Sequence, residues 1–330
     1  MTIPSLVLIF LLPLVSSYAV IRPLGSYETL LSRKIPNGDS VALSHGAAVL
    51  LKGVTSKDAL ISAVAACIDK HPSLSCYIAR DASNDQRKTW FKCDDSSAYL
   101  ARQVVTRWET VPSADFDDSW KAALERSVNG AEFLARGPLW KLESIVDESN
   151  ERSAWVFCMN HGMDDQQSVN IIVQDMLTAC SGNQLSAPMP FPPSVEEACA
   201  PQTVGINTAL WGAYQLCNLL AMPVQFPQSL KGRSEYCDPS RRSTILDTFT
   251  LSAERVTALR LACRARGVTV TQALGAAMLC ATSDTVSDGQ PRDLDLRFLL
   301  AVGLRSFGVS GADDLPEVRW RVRGVLWISS

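Results

Sequence analysis

Histidine is scarce in this sequence, with 3 in 330 residues, so any chemistry that needs an imidazole near neutral pH must draw on His45, His71 or His161. The 10 cysteines are scattered, and no Cys-x-x-Cys or Cys/His spacing occurs, which excludes the zinc-finger and thioredoxin-like patterns. No Asn-x-Ser/Thr acceptor exists, which speaks against a heavily processed extracellular protein. A Gly-x-Ser-x-Gly elbow is also missing, so a hydrolase of that kind has no nucleophile here. Strong charge of either sign is lacking too. Lys+Arg number 31 against 34 Asp+Glu, mixed along the chain, which leaves no electrostatic footprint for nucleic acid. The one basic cluster, Arg319, Arg321 and Arg323, alternates with Trp320 and Val322 and reads as a charged strand face.

What is present fits a folded interior: 47% of residues are hydrophobic and 20% charged. The run Leu6 to Val15, followed by Ser17 and Ala19 at the minus-three and minus-one positions of a peptidase site, predicts a signal peptide over residues 1–20. An uncleaved N-terminal anchor is the competing reading. Either one directs the chain to the secretory pathway or the endomembranes; without a signal the chain is cytosolic. Cys67, Cys180, Cys263 and Cys280 fall on helix-patterned stretches and are expected to pack as small hydrophobes.

Along the chain, Val41 to Lys52 reads as a strand, and Thr55-Ser56-Lys57-Asp58 as a capping box opening a helix with Leu60, Val64, Cys67 and Ile68 on one face. His71-Pro72 closes it. Leu74 to Ala79 and Lys88 to Lys92 read as strands, and Phe116 to Val128 as a helix. Two strand-like runs, Leu139 to Val146 and Ser153 to Met159, flank a polar hairpin connection. From Ser168 a helical stripe of Val169, Ile172, Val173, Met176 and Leu177 runs to Gly182. Five prolines between Leu185 and Pro201 mark a linker, so the division is an N-terminal unit over 21–184, a linker over 185–203 and a second unit over 204–330.

Within the second unit, Gly205 to Met222 is expected to be a helix that lines or covers something, with an amphipathic helix in peripheral contact with a membrane as the alternative. Thr244 to Leu251 alternates like a strand. Ser252 caps a helix ending at Gly267, Thr269-Val270-Thr271-Gln272 opens another with Ala273, Leu274, Ala277 and Met278 inward, and Leu294 to Phe307 is a long strand. The alternation in both halves implies an α/β protein of the α+β type, with mixed sheets covered by helices.

Among the histidines, His45 lies in an apolar strand and His71 before a helix-stopping proline, and structural roles are expected for both. His161 differs because it follows the buried run Trp155 to Met159 and opens a loop holding Asp164 and Asp165, a place where strand ends line sites. With no second histidine nearby in sequence, no metal site is expected.

His161-Gly162-Met163-Asp164-Asp165 resembles the His-x-x-x-Asp signature of acyltransferases related to chloramphenicol acetyltransferase, which include condensation domains, alcohol acetyltransferases and polyketide-associated acyltransferases. Further segments continue the resemblance in order: Arg22-Pro23-Leu24-Gly25-Ser26-Tyr27-Glu28, His71-Pro72-Ser73-Leu74, Gly137-Pro138-Leu139-Trp140, Leu251-Ser252, Gly267-Val268-Thr269-Val270 and Val302-Gly303-Leu304-Arg305. It covers about residues 22 to 307. The family usually has glycine where this chain has Gln166, and often a second histidine where it has Asn160. The missing glycine bears on the backbone turn of the loop.

The resemblance implies a two-lobe fold with a tunnel between the lobes, of which the second lobe is expected to be incomplete here. It implies a monomeric acyltransferase with acyl-CoA as co-substrate and no resident cofactor, an alcohol or amine acceptor, and no covalent acyl-enzyme. It also implies His161 as general base, and Asp165 turned from the substrate and held by Arg305. A catalytically inactive fragment or binding protein of the same fold is the alternative.

Overall fold

The computed structural model describes residues 19–25, 28–29, 32, 44–80, 88–130, 133, 136–194, 197, 244–248 and 250–287. The expected segment 1–20 up to residue 18, the helix over 205–222, the strand over 294–307 and the Arg319 to Arg323 cluster lie outside them. Among the described residues no helix is long and apolar enough to cross a membrane.

Two sheets organise the N-terminal unit. The larger one has the order β2-β7-β6-β5, from β2 (Ser44–Lys52), β5 (Val105–Val111), β6 (Trp140–Asp147) and β7 (Arg152–Asn160). Its neighbours are antiparallel except for the parallel pair β5 and β6. A smaller antiparallel sheet has the order β1-β4-β3, from β1 (Val20–Pro23), β3 (Cys76–Arg80) and β4 (Lys88–Lys92). The hairpin from β6 to β7 forms where a polar connection was expected. Asn150 takes the left-handed backbone (φ 60°), and Asp147 receives Ser149 N (3.0 Å) and Arg152 Nε (2.6 Å).

Strand alternation divides the side chains of β7 between two cores. Trp155, Phe157 and Met159 point into the main core with the apolar faces of α1 (Lys57–Lys70) and α4 (Gln166–Cys180). Ala154 and Val156 point the other way, onto Phe116 and Trp120 of α3 (Phe116–Asn129). Leu60, Val64, Cys67 and Ile68 of α1 are all buried, as their spacing requires, while on α4 Val169, Ile172 and Met176 are buried and Leu177 is exposed. Trp140, buried in the main core, donates its indole N–H to Leu74 O at 2.9 Å.

Several elements differ from the sequence expectation. The helix α2 (Ser97–Val104), capped by Ser96, and strand β5 were missed, because Val105 to Val111 carries Arg107 and Glu109 and looks too polar for a strand. Ser56, not Thr55, caps α1, by accepting from Ala59 N at 3.2 Å. Residues 244–248 and 250–251 form no strand; Thr244 and Leu246 instead donate backbone N–H groups to Asn129 and Glu125 of α3. The last two described helices, α5 (Ala253–Ala265) and α6 (Val270–Ser287), start where expected, α6 with a reciprocal Thr269–Gln272 cap. Leu274 and Met278 are nevertheless exposed, as is the thiol-bearing Cys280. Of the linker, the described stretch 185–194 has no regular structure but lies against the first unit, with Phe191 edge-on to Trp90 and Pro192 O accepting from Arg22.

Gly46 lets α3 approach β2 closely. A Cβ there would stand 2.4 Å from Val128 Cγ2 and 2.8 Å from Leu124 Cδ1, closer than real contacts allow. Overpacking of this kind costs about 1–3 kcal/mol. Gly46→Val is expected to lower the urea midpoint by a corresponding amount with an unchanged m-value; a midpoint equal to that of the unaltered protein would show that α3 simply moves aside.

Candidate functional site

The motif begins where β7 stops. After Asn160 the chain turns: Met163 N donates to Asn160 O (2.9 Å) and Gly162 N to Asn160 Oδ1 (2.8 Å). A Cβ on Gly162 would sit 2.7 Å from that same side-chain oxygen, so the turn has no room for one. Helix α4 starts at Gln166. Its cap is Asp165, whose Oδ1 accepts from both Ser168 N and Ser168 Oγ at 2.7 Å. The aspartate of the signature thus holds the helix start. Among described non-glycine residues only Asn150 has positive φ, so Gln166 in the usual glycine position is not strained.

His161 is about a quarter exposed, and its Nδ1 lies 3.2 Å from the backbone oxygen of Asp164. A carbonyl only accepts, so Nδ1 carries the proton of the neutral ring and Nε2 carries the basic lone pair. The second imidazole comes from the other side of the sheet register. His45, on β2, is paired with Met159 of β7, and its ring centroid lies 5.5 Å from that of His161. His45 Nδ1 is 2.6 Å from Asp164 Oδ2, and Nε2 is 3.2 Å from Gln166 Oε1. Gln166 in turn donates its amide to Asn170 Oδ1 at 3.2 Å, which orients that amide. Burial acts to lower the pKa of His45, but the hydrogen bond and charge of Asp164, helped by Gln166 and Asp165, outweigh it, and the net shift is upward.

Asp164 is buried, and its Oδ1 has no hydrogen-bond partner among the described residues. His71 lies elsewhere: its Nε2 meets Asp175 Oδ2 (2.6 Å) beside Lys70 Nζ (2.9 Å), a buried group that ties the end of α1 to α4. Arg305 is outside the described residues. Among the described residues, four buried thiols are poor nucleophiles, since burial pushes Cys67, Cys76 and Cys158 up to about 12 and Cys93 up to about 11.

His45 and Asp164 were not singled out from the sequence. The only available signal was the tandem Asp164-Asp165, because one helix start takes one capping carboxylate and leaves its neighbour to find another partner.

A raised pKa means that folded His45 binds its proton more tightly than the unfolded chain does. Its contribution to stability is therefore complete below the unfolded pKa and disappears as pH rises through the folded one. Asp164→Asn is expected to bring the imidazole titration of His45 down in an NMR pH series and to flatten this part of the stability profile; an unmoved titration would detach the two groups. For the cap, Asp165→Ala is expected to cost about 1 kcal/mol by denaturant unfolding, and Asp165→Asn clearly less.

Comparison of the sequence with family models and with curated proteins finds no match. Solved structures do match. SgcC5 from Streptomyces globisporus, in complex with a naphthyl ethanediol and sucrose, aligns with a TM-score of 0.51 at 16% identity over 80% of this chain and 60% of its own. The condensation domain of the Monacolin K polyketide synthase MokA gives 0.47 at 13% identity over 82% and 60%, and polyketide synthase associated protein 5 from Mycobacterium tuberculosis 0.39 at 19% over 56% and 40%. The chain thus spans 40% to 60% of the length of these proteins. With helices laid on mixed sheets and the alignment to SgcC5, the described residues have an α+β fold similar to that of SgcC5.

Proposed function

We propose that the chain is an acyltransferase that moves an acyl group from an acyl-CoA, or from a carrier thioester, to an alcohol or amine, with His161 as general base. The observation that carries this reading is the bond from His161 Nδ1 to Asp164 O, which leaves Nε2 as the basic nitrogen of a partly exposed ring at a strand end. An acceptor O–H or N–H gives its proton to Nε2 as its heteroatom attacks the thioester carbonyl. The carbon–sulfur bond then breaks as the tetrahedral species collapses, and the proton passes to the departing thiolate. No acyl-enzyme is needed; donor and acceptor held at one imidazole supply the rate through proximity. Cys158, on the same strand as the motif, is too weakly acidic in its buried position to compete as a nucleophile there.

In this reading Asp165 keeps the loop in place through its cap, with Arg305 as a further partner on the second lobe. Acyl-CoA enters as co-substrate, and the protein acts as a monomer in or near the endomembranes.

The test is release of free thiol from acetyl-CoA or a long-chain acyl-CoA in the presence of a panel of alcohols and amines. His161→Ala is expected to reduce turnover by about 10²- to 10⁴-fold with an unchanged circular dichroism spectrum. Turnover at the unaltered rate would end the role of His161. Absence of thiol release with every pair would favour a non-catalytic binding protein of this fold.

A further inference from the structure

We propose that His45, His161 and Asp164 form a binding site for a divalent transition-metal ion of the zinc type, and that the bound ion silences His161 as a base. One ligand atom from each of these three residues lies within 4.8 Å of the other two, the only such group among the described residues. The carboxylate is at the centre: Asp164 Oδ2 is 2.6 Å from His45 Nδ1, and Oδ1 is 3.9 Å from His161 Nδ1. Zinc bonds of about 2.0–2.2 Å place tetrahedral ligand atoms about 3.4 Å apart, a spacing these two separations bracket.

A second observation points to a ligand independently of the clustering. Asp164 is 1% exposed, and Oδ1 has no hydrogen-bond partner among the described residues, although its side faces the His161 ring. A buried carboxylate oxygen without a donor is costly, and a cation between it and the two imidazoles would satisfy it. The outer shell is also in place. His45 Nε2 donates to Gln166 Oε1, the bond that orients a metal-ligating imidazole and leaves Nδ1 to coordinate, and Gln166 is itself held by Asn170. Side-chain exposures of 18% for His45 and 26% for His161 give an ion access and leave room for a water as fourth ligand.

Two imidazole nitrogens and one carboxylate suit zinc or cobalt(II) rather than calcium or magnesium, which require oxygen-rich shells. Coordination through the His161 Nδ1 lone pair breaks the bond to Asp164 O and requires the other neutral tautomer, in which the one ring proton has moved from Nδ1 to Nε2. The nitrogen that accepts the substrate's proton is then occupied. Silencing rests on the acyl-transfer reading above; metal binding does not.

The experiment titrates cobalt(II) into the full chain with Cys280→Ser, which removes the exposed thiol among the described residues. Visible d–d bands saturating at one equivalent, without near-ultraviolet thiolate charge transfer and displaced by zinc, are expected. His45→Gln should abolish them, and Gln166→Ala, which keeps all three ligands, should weaken binding by about 10- to 100-fold. An equal spectrum in His45→Gln, a dominant thiolate band or no bands at all would overturn the site. In parallel, zinc is expected to stop thiol release and a chelator to restore it. Metal binding in a chain that releases no thiol would refute the acyl-transfer reading and leave the site standing, whereas turnover unaffected by a bound ion would refute the silencing.

Discussion

The pairing of β2 with β7 is the constraint on which the site depends. Nine residue pairs run in unbroken antiparallel register from Ser44–Asn160 to Lys52–Arg152. Because side chains alternate, this register places His45 on the Met159 face, toward the start of α4, and Gly46 on the opposite face against α3. A slip of one residue would turn the His45 ring toward Leu124 and Val128 and put the bare glycine beside Asp164. The requirement for a residue without a side chain under α3 and the requirement for an imidazole beside the motif loop are thus satisfied by the same register. The end of β7 is held as firmly as its middle, since every residue from Ser153 to Asn160 is buried.

From that fixed strand end, two adjacent carboxylates separate into different tasks. Asp165 has its oxygen on the N–H and hydroxyl of Ser168 and terminates the loop. Asp164 turns inward, where a lone carboxylate would be strongly disfavoured, and is held there by the His45 imidazole at 2.6 Å. Its main-chain oxygen, meanwhile, selects the tautomer of His161. One residue therefore controls both rings, the first through its side chain and the second through its backbone. The loop geometry that supports a basic Nε2 is the same geometry that assembles three ligand-type atoms.

Much of the N-terminal unit was legible in the sequence because its elements are strongly periodic. The strands β6 and β7, the helix α1 with its four buried positions and α3 all lie within a residue or two of expectation. Where sequence reasoning failed, local pattern and burial had come apart. Strand β5 is half polar because it lies at the sheet edge, and residues 244–248 alternate without a strand partner because their backbone bonds to α3 side chains. Leu274 and Met278 form an apolar stripe at helical spacing yet remain exposed. At the site, the spacing of His161 and Asp165 was visible, but the approach of His45 was not. It lies 119 residues before Asp164, and only the strand register brings them together.

Gln166 ties these threads together. As a departure from the usual glycine it suggested a disturbed loop, but it occupies the first turn of α4, where no left-handed backbone is required. A longer side chain is therefore tolerated, and its oxygen reaches His45 Nε2 while its nitrogen is held by Asn170. Glycine at this position would leave that imidazole with one partner instead of two. The rotation of His45 about its ring axis would then depend on Asp164 alone, and the approach of the second imidazole to His161 would be less sharply set. Gln166 and His45 thus belong to one arrangement, in which the ring on β2 is oriented by the residue that follows Asp165.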